Sequence, residues 1–347
     1  MHAAAQWAIL LLLSLLFAGT LEFAGMPAAM LLGPMLAAVI AGTNGATVRV
    51  PSYCFAGSQA VVGCLVAAAL SPAIFSTFLD EWMLFGSVVL ATLVASSFLG
   101  WFISRFKILP GTTAVWGSAP GGATAMVLMA GAFGADARLV AFMQYLRVIL
   151  VSISAALIAR LWVDTSGVEA PPSIWFPSIT WPALATTFAI ALAGGVAGRL
   201  LRLPSPYFLG AAIAGAIVNI GFGAPMQLPT WLLGTSYMLI GWAIGLNFTR
   251  AILHHAARAL PQIVGSILAL ISFCGGLAWL LSHELGIDPL TAYLATSPGG
   301  MDSVAIIAAA SDNVDLSFVM ALQSARLVIV LAIGPSLARL VARWIKT

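Results

Sequence analysis

Apolar residues run along this chain in long blocks with short polar punctuation, and they do not alternate with polar ones. Blocks of about 20 apolar residues predict membrane-crossing helices, whereas barrel strands would alternate lipid-facing and lumen-facing positions. In the first half the blocks span 5–21, 27–42, 54–71, 82–104, 111–134 and 137–162. In the second they span 182–200, 205–220, 231–248, 260–283, 289–311 and 315–340. The only sizeable polar, Pro-rich stretch is 164–181, so the chain reads as repeat 1 (1–163), a connector (164–181) and repeat 2 (182–347). The first block could pass for a signal peptide. It occupies the place that 182–200 holds in the second half, however, and is read as a mature helix.

The two halves carry the same text. Residues 118–122 read SAPGG and 296–300 read TSPGG; each is followed by small and apolar residues, an acid, then Q-x-x-R. These are Asp136, Gln144 and Arg147 in one copy and Asp315, Gln323 and Arg326 in the other. An earlier pair, MPAAMLLGPMLAAVIAG at 26–42 and LPSPYFLGAAIAGAIVN at 203–219, extends the match. A duplication that repeats its helix breakers is a transporter signature.

Charge decides how the copies are oriented. Loops that are acidic in the first half (Glu22; Asp80 and Glu81) are basic in the second (Arg199 and Arg202; Arg250 and Arg258), and Arg105 and Lys107 are answered by Glu284 and Asp288. The positive-inside bias then predicts inverted repeats, which need an odd number of crossings each. One block in six must turn back, and the Pro-Gly-Gly block is best suited, because Pro removes a backbone donor and Gly-Gly eases a reversal. The expected architecture is an all-α integral membrane protein of two inverted repeats, each with five crossings and one broken or re-entrant helix. Basic residues then gather on one face, which places both termini in the cytoplasm and the connector in the periplasm of a bacterial inner membrane.

Composition agrees: 61% of residues are apolar and 7% charged, against roughly 25% charged in soluble domains. Three charges remain inside apolar blocks, Arg147, Arg326 and Asp302. Each costs about 2.5–3.5 kcal/mol at a helix centre, so each needs a cavity or a partner. Two guanidinium groups beside helix N-termini that start at Gly122 and Gly300 make an anion site. Its expected members are Ser118, Pro120, Gly121, Gly122, Thr124, Gln144 and Arg147 from the first copy. From the second come Thr296, Ser297, Pro298, Gly299, Gly300, Ser303, Gln323 and Arg326. Asp302, whose counterpart is Thr124, would carry a coupling H+ or Na+. Structural alternatives stay open. Pro-Gly-Gly can be a simple kink, each Arg can bond the Gln one turn earlier or cap re-entrant carbonyls, and Asp302 can be Arg326's counter-ion. Asp136 and Asp315 read as helix N-caps.

With SAPGGATAM and TSPGGMDSVAIIAAASD in view, the chain resembles the bacterial membrane AbrB family, also labelled an ammonia monooxygenase, over essentially its whole length. The resemblance implies a duplicated membrane domain of the broken-helix transporter kind and names no substrate. A copper or iron oxygenase needs clustered His and carboxylate ligands. Here His2, His254, His255 and His283 are expected at different places, two of them in a basic loop, so neither an enzyme, a metal nor a cofactor is expected. A gene regulator needs a DNA-binding module, and no helix-turn-helix is present, which leaves only indirect regulation. The expected partners are the bilayer, a small anionic solute and H+ or Na+, without direct nucleic acid and with a homodimer open. The rival reading is a membrane sensor that binds at the same site without transport.

Overall fold

The computed structural model describes residues 2–24, 28–68, 82–106, 109, 112–162, 175–203, 205–299, 304 and 314–346. Gly300, Asp302 and Ser303 lie outside them, as does most of the 164–181 connector. Among the described residues the chain has thirteen α-helices and no strand. They are α1 Ala3–Phe23, α2 Ala29–Thr43, α3 Ser52–Ala68, α4 Trp82–Arg105, α5 Thr113–Ser118, α6 Ala123–Ala132 and α7 Ala137–Trp162. The second half supplies α8 Trp181–Leu200, α9 Pro206–Phe222, α10 Thr230–Gly245, α11 Arg250–Leu285, α12 Pro289–Thr296 and α13 Leu316–Lys346.

Local chemistry accounts for many of these boundaries. Pro sits at the first or second position of α8, α9 and α12, where its fixed φ suits a helix and its missing N–H costs nothing. Gly223 closes α9 in the left-handed conformation at φ 60°. Asp315 caps α13, its Oδ1 accepting from Phe318 N at 3.0 Å, and Asp136 accepts from Arg138 N at 3.0 Å at the start of α7.

Among the described residues six helices (α1, α4, α7, α8, α11 and α13) are long and apolar enough to cross a membrane, which marks a multi-pass membrane protein. The ten-crossing expectation needs four more. The candidates α2, α3, α9 and α10 have 15, 17, 17 and 16 residues, or roughly 23–26 Å at 1.5 Å per residue, a little short of a 30 Å hydrocarbon core. One expectation is corrected. Arg250, His254, His255 and Arg258 do not form a loop; they are helical, in a 36-residue α11 that continues through Pro261. The stretch AILHHAARAL is rich in strong helix formers, and polar side chains on an exposed face do not end a helix.

The described helices group into two compact units that cut across the sequence halves, and each unit takes segments from both copies. Unit 1 comprises Met1–Ser71 and Pro172–His255. Within it α1 packs on α2 and α8 on α9, while α2 meets α10 and α9 meets α3. Missing side chains permit these approaches. A Cβ on Gly194 would come within 2.6 Å of the Gly210 carbonyl, and Gly33, which corresponds to Gly210, sits against the backbone of Ala18. Leu10, Ala37, Ala38, Val48, Trp242 and Leu246 form a core, in which the Trp242 indole donates to Ser14 Oγ at 2.8 Å. Unit 2 comprises Pro72–Pro171 and Ala256–Thr347 and holds both Pro-Gly-Gly motifs and both Q-x-x-R motifs.

Candidate functional site

In unit 2 the first Pro-Gly-Gly block is a broken helix. α5 stops at Ser118, Ala119 and Gly122 are extended (ψ 128° and 123°), and α6 starts at Ala123. In the second copy α12 stops at Thr296 and Ser297 is extended at ψ 135°. Every helix end leaves carbonyls without intrahelical donors, and in a membrane no water stands ready to satisfy them. The Q-x-x-R motifs supply the donors.

Gln144 Nε2 donates to Trp116 O at 2.8 Å and to Ala119 O at 3.0 Å. Arg147 Nη1 donates to Ala119 O at 2.7 Å and, more weakly, to Ser118 O at 3.4 Å. Its Nη2 reaches Gly121 O at 3.3 Å and Gln144 Oε1 at 2.7 Å. The second copy repeats the pattern. Gln323 Nε2 serves Leu294, Ala295 and Ser297 carbonyls; Arg326 serves Ser297 O at 2.7 Å, Gly299 O at 3.4 Å and Gln323 Oε1. Spacing makes this possible, because residues three apart lie on one helix face. Both arginines are buried, at 1% and 6% exposure, and both point at the negative end of a broken helix. Carbonyl dipoles solvate each guanidinium, and these bonds match the structural alternative that the sequence left open.

Each clamp leaves something over. The Nε of Arg147 and the Nε of Arg326 are buried and have no hydrogen-bond partner. Arg147 lies within electrostatic range of Arg326, and both lie within range of Cys274. α6 begins at its N-cap residue Gly122 without a side-chain cap. The linkers meet the opposite copy. A Cβ on Gly121 would lie 3.0 Å from Val330 Cγ1, and one on Gly122 would lie 3.2 Å from Leu327 Cδ1. Unit 2 thus brings together Ser118, Pro120, Gly121, Gly122, Gln144 and Arg147, and likewise Thr296, Ser297, Pro298, Gly299, Gln323 and Arg326. Thr124 turns instead to Tyr145, whose hydroxyl is 2.9 Å from its Oγ1. Sequence reasoning missed Tyr145, Tyr293 and Ser324. All three neighbour the motifs, but an apolar background gives one buried hydroxyl no distinguishing pattern.

A helical membrane protein with paired helix ends whose carbonyls are clamped by Gln and Arg is the class that this fold and site define. The family described as "Transition state regulatory protein AbrB" matches residues 30–342, and the chain belongs to that family. It is 45% identical to "Putative regulator AbrB" of Escherichia coli (strain K12), over 98% of this chain and 97% of that one. It is 28% identical to "Uncharacterized protein YhjN" of Bacillus subtilis (strain 168), over 81% and 77% of the respective chains.

Proposed function

We propose that this protein is a secondary transporter of the bacterial inner membrane that moves a small anionic organic solute by alternating access. The observation that carries the reading is the pair of equivalent clamps. A broken helix in the first copy and the end of α12 in the second are each clamped by a buried arginine with an unpartnered Nε, and the first break leads into α6, whose start has no side-chain cap. Broken helices with exposed backbone ends are how secondary transporters present donors near the midplane. Deep positive charge whose hydrogen bonds run to backbone carbonyls and an amide, and among the described residues to no carboxylate, suits an anion. In this reading the copies are inverted, the Pro-Gly-Gly segments are re-entrant, both termini are cytoplasmic, and Asp302 carries the coupling H+ or Na+. The protein is not an enzyme and needs no cofactor.

The regulator name of the Escherichia coli relative favours a second reading, a membrane sensor that binds the same solute and acts on expression indirectly. Metabolite profiles of a deletion strain, complemented with the wild type or with Arg326→Gln, separate these readings when followed by flux measurements in sealed vesicles. Transport predicts an anionic metabolite whose distribution only the wild type restores, and which crosses the vesicle membrane. Binding without flux would leave the sensor standing.

A further inference from the structure

Glycine inside a helix costs stability relative to alanine, so a buried helical glycine in a membrane protein usually marks a close approach. Among the described residues, an added Cβ would come to 3.2 Å or less from a neighbouring atom at every buried glycine but one. The exception is Gly334 in α13, where the nearest atom would be Val330 Cγ1 at 3.9 Å, an ordinary contact. A cavity lies beside it. This cavity, in unit 2, gives about 10 Å³ to the centre of a water-sized guest and is walled by Gly334 and Leu337 of α13, Val115 and Trp116 of α5, and the linker residue Ala119. That is room for roughly one water or one methyl group. The wall is mostly apolar, with Ser97 its single hydroxyl, and apolar cavities stay dry and take apolar guests. The cavity and the first clamp also share a residue, because the Ala119 carbonyl accepts from both Gln144 and Arg147. At the same linker and its clamp, three buried donors have no hydrogen-bond partner: Trp116 Nε1, Ser118 Oγ and Arg147 Nε. Apolar room and unpartnered donors meet at one helix break.

We infer that this cavity seats a small apolar group of the transported anion, a methyl in size, while the charged group takes the unpartnered donors of the first linker. Gly334 is then a specificity-determining residue. Its missing side chain makes the seat, and the seat limits the size of the group that fits. The solute class narrows to anions with a short apolar branch or end. The inference rests on the transport reading above.

Gly334→Ala tests it, because the new methyl fills the seat without a clash. Gly265→Ala is the control: Gly265 lies within α11, and a Cβ there would meet nothing within 4 Å. Both variants gain helix propensity, so both melting temperatures in detergent should hold or rise. Flux in sealed vesicles is then read with the anion that wild-type vesicles carry, and with its homologue one carbon shorter at the apolar end. Wild type and Gly265→Ala should prefer the longer anion in kcat/KM by roughly tenfold, the discrimination that one carbon gives in an apolar pocket. Gly334→Ala should lose that preference, handling the shorter anion as well as wild type does and the longer one about tenfold worse. An unchanged preference in Gly334→Ala, or a carried anion with no such apolar group, overturns the inference and leaves the transport reading intact. A fall in melting temperature for Gly334→Ala alone overturns it too, since the methyl then does not fit. Wild-type vesicles that carry no anion defeat the transport reading, and the seat with it.

Discussion

Gly121 lies against Val330: a Cβ added to the glycine would come within 3.0 Å of Val330 Cγ1, and within 2.9 Å of Met126 Cε. Val330 stands one turn beyond Arg326, so the first copy's linker rests on the second copy's clamp helix. The reverse contact exists too, since a Cβ on Gly299 would sit 3.2 Å from Val151, one turn beyond Arg147. Met126 can bend aside, but β-branched Val330 cannot. Gly121→Ala should therefore destabilise unit 2 by about 1–3 kcal/mol, the usual cost of overpacking. Gly299→Ala, with looser contacts, should cost less. A double-mutant cycle with Val330→Ala, read by melting in detergent, should recover part of the Gly121→Ala loss. Strict additivity would show that the contact is not felt.

The clamp arginines should be as necessary to the fold as to any solute. Arg147→Met keeps the bulk but removes the donors to Ser118, Ala119 and Gly121 carbonyls. Ala119 O keeps its bond from Gln144, so the Ser118 and Gly121 carbonyls lose a donor, at about 1–3 kcal/mol for each one left stranded. Arg147→Lys should recover only part of this, because an ammonium on a single stem cannot span carbonyls on both sides of the linker. The expected order of melting temperatures is wild type, then Lys, then Met. Equal melting temperatures would place the donors outside the folding energetics and leave the arginines to the solute alone.

The acid at the head of α7 gives a pH-dependent term. Burial pushes the Asp136 carboxyl up, but hydrogen bonds and the charge of Arg138, at 2.8 Å, together with the α7 backbone, outweigh burial and hold it below its ordinary value. A carboxyl depressed in the folded state stabilises above its unfolded value of about 3.9, and the contribution fades as pH falls through the lower folded value. Asp136→Asn keeps a capping side chain and removes the charge. Its melting temperature should lie below that of the wild type at pH 7, reflecting a loss of stability on the order of 0.5 kcal/mol or less for a partly exposed pair. The gap should start to close below about pH 4 and vanish only once the pH lies below the lowered folded value. A gap that does not narrow at all between about pH 5 and pH 3 would assign the loss to cap geometry.

Local chemistry was readable from the sequence. The break at Pro-Gly-Gly, the caps at Asp136 and Asp315, and the Gln–Arg pairing three residues apart follow from residue type and helix period. Two features were hidden. Apolar blocks alike in composition do not say which helices pair, so the two compact units, each drawn from both copies, rest on contacts such as Gly241 with Leu31 and Met35. Nor did sequence show how α11 runs on from Arg250, because a basic, alanine-rich stretch reads equally as polar punctuation and as helix. Inside the candidate site the limit is similar. Arg147 in an apolar block announces a partner, but whether that partner is a solute or its own carbonyls depends on where Ala119 lies.

The proposed inversion can be decided by topology. Glu22, Asp80, Glu81, Glu284 and Asp288 exchange sign with their counterparts between the copies, and the bias of short loops toward Lys and Arg orients helices in the inner membrane. Five crossings per copy put both termini in the cytoplasm and the connector outside. Six would carry the second copy across in the same sense as the first and break the charge sorting. Single cysteines at Ser166 and Thr347, in a chain lacking Cys54, Cys64 and Cys274, read this directly. An impermeant maleimide applied to intact spheroplasts should label Ser166→Cys and spare Thr347→Cys until the membrane is opened. The arms of the broken helix fit this count, since α5 and α6 have 6 and 10 residues and rise roughly 9 and 15 Å, each too short to cross alone. Labelling of both cysteines from one side would require the Pro-Gly-Gly segments to cross the membrane, and the inverted arrangement would fall with them.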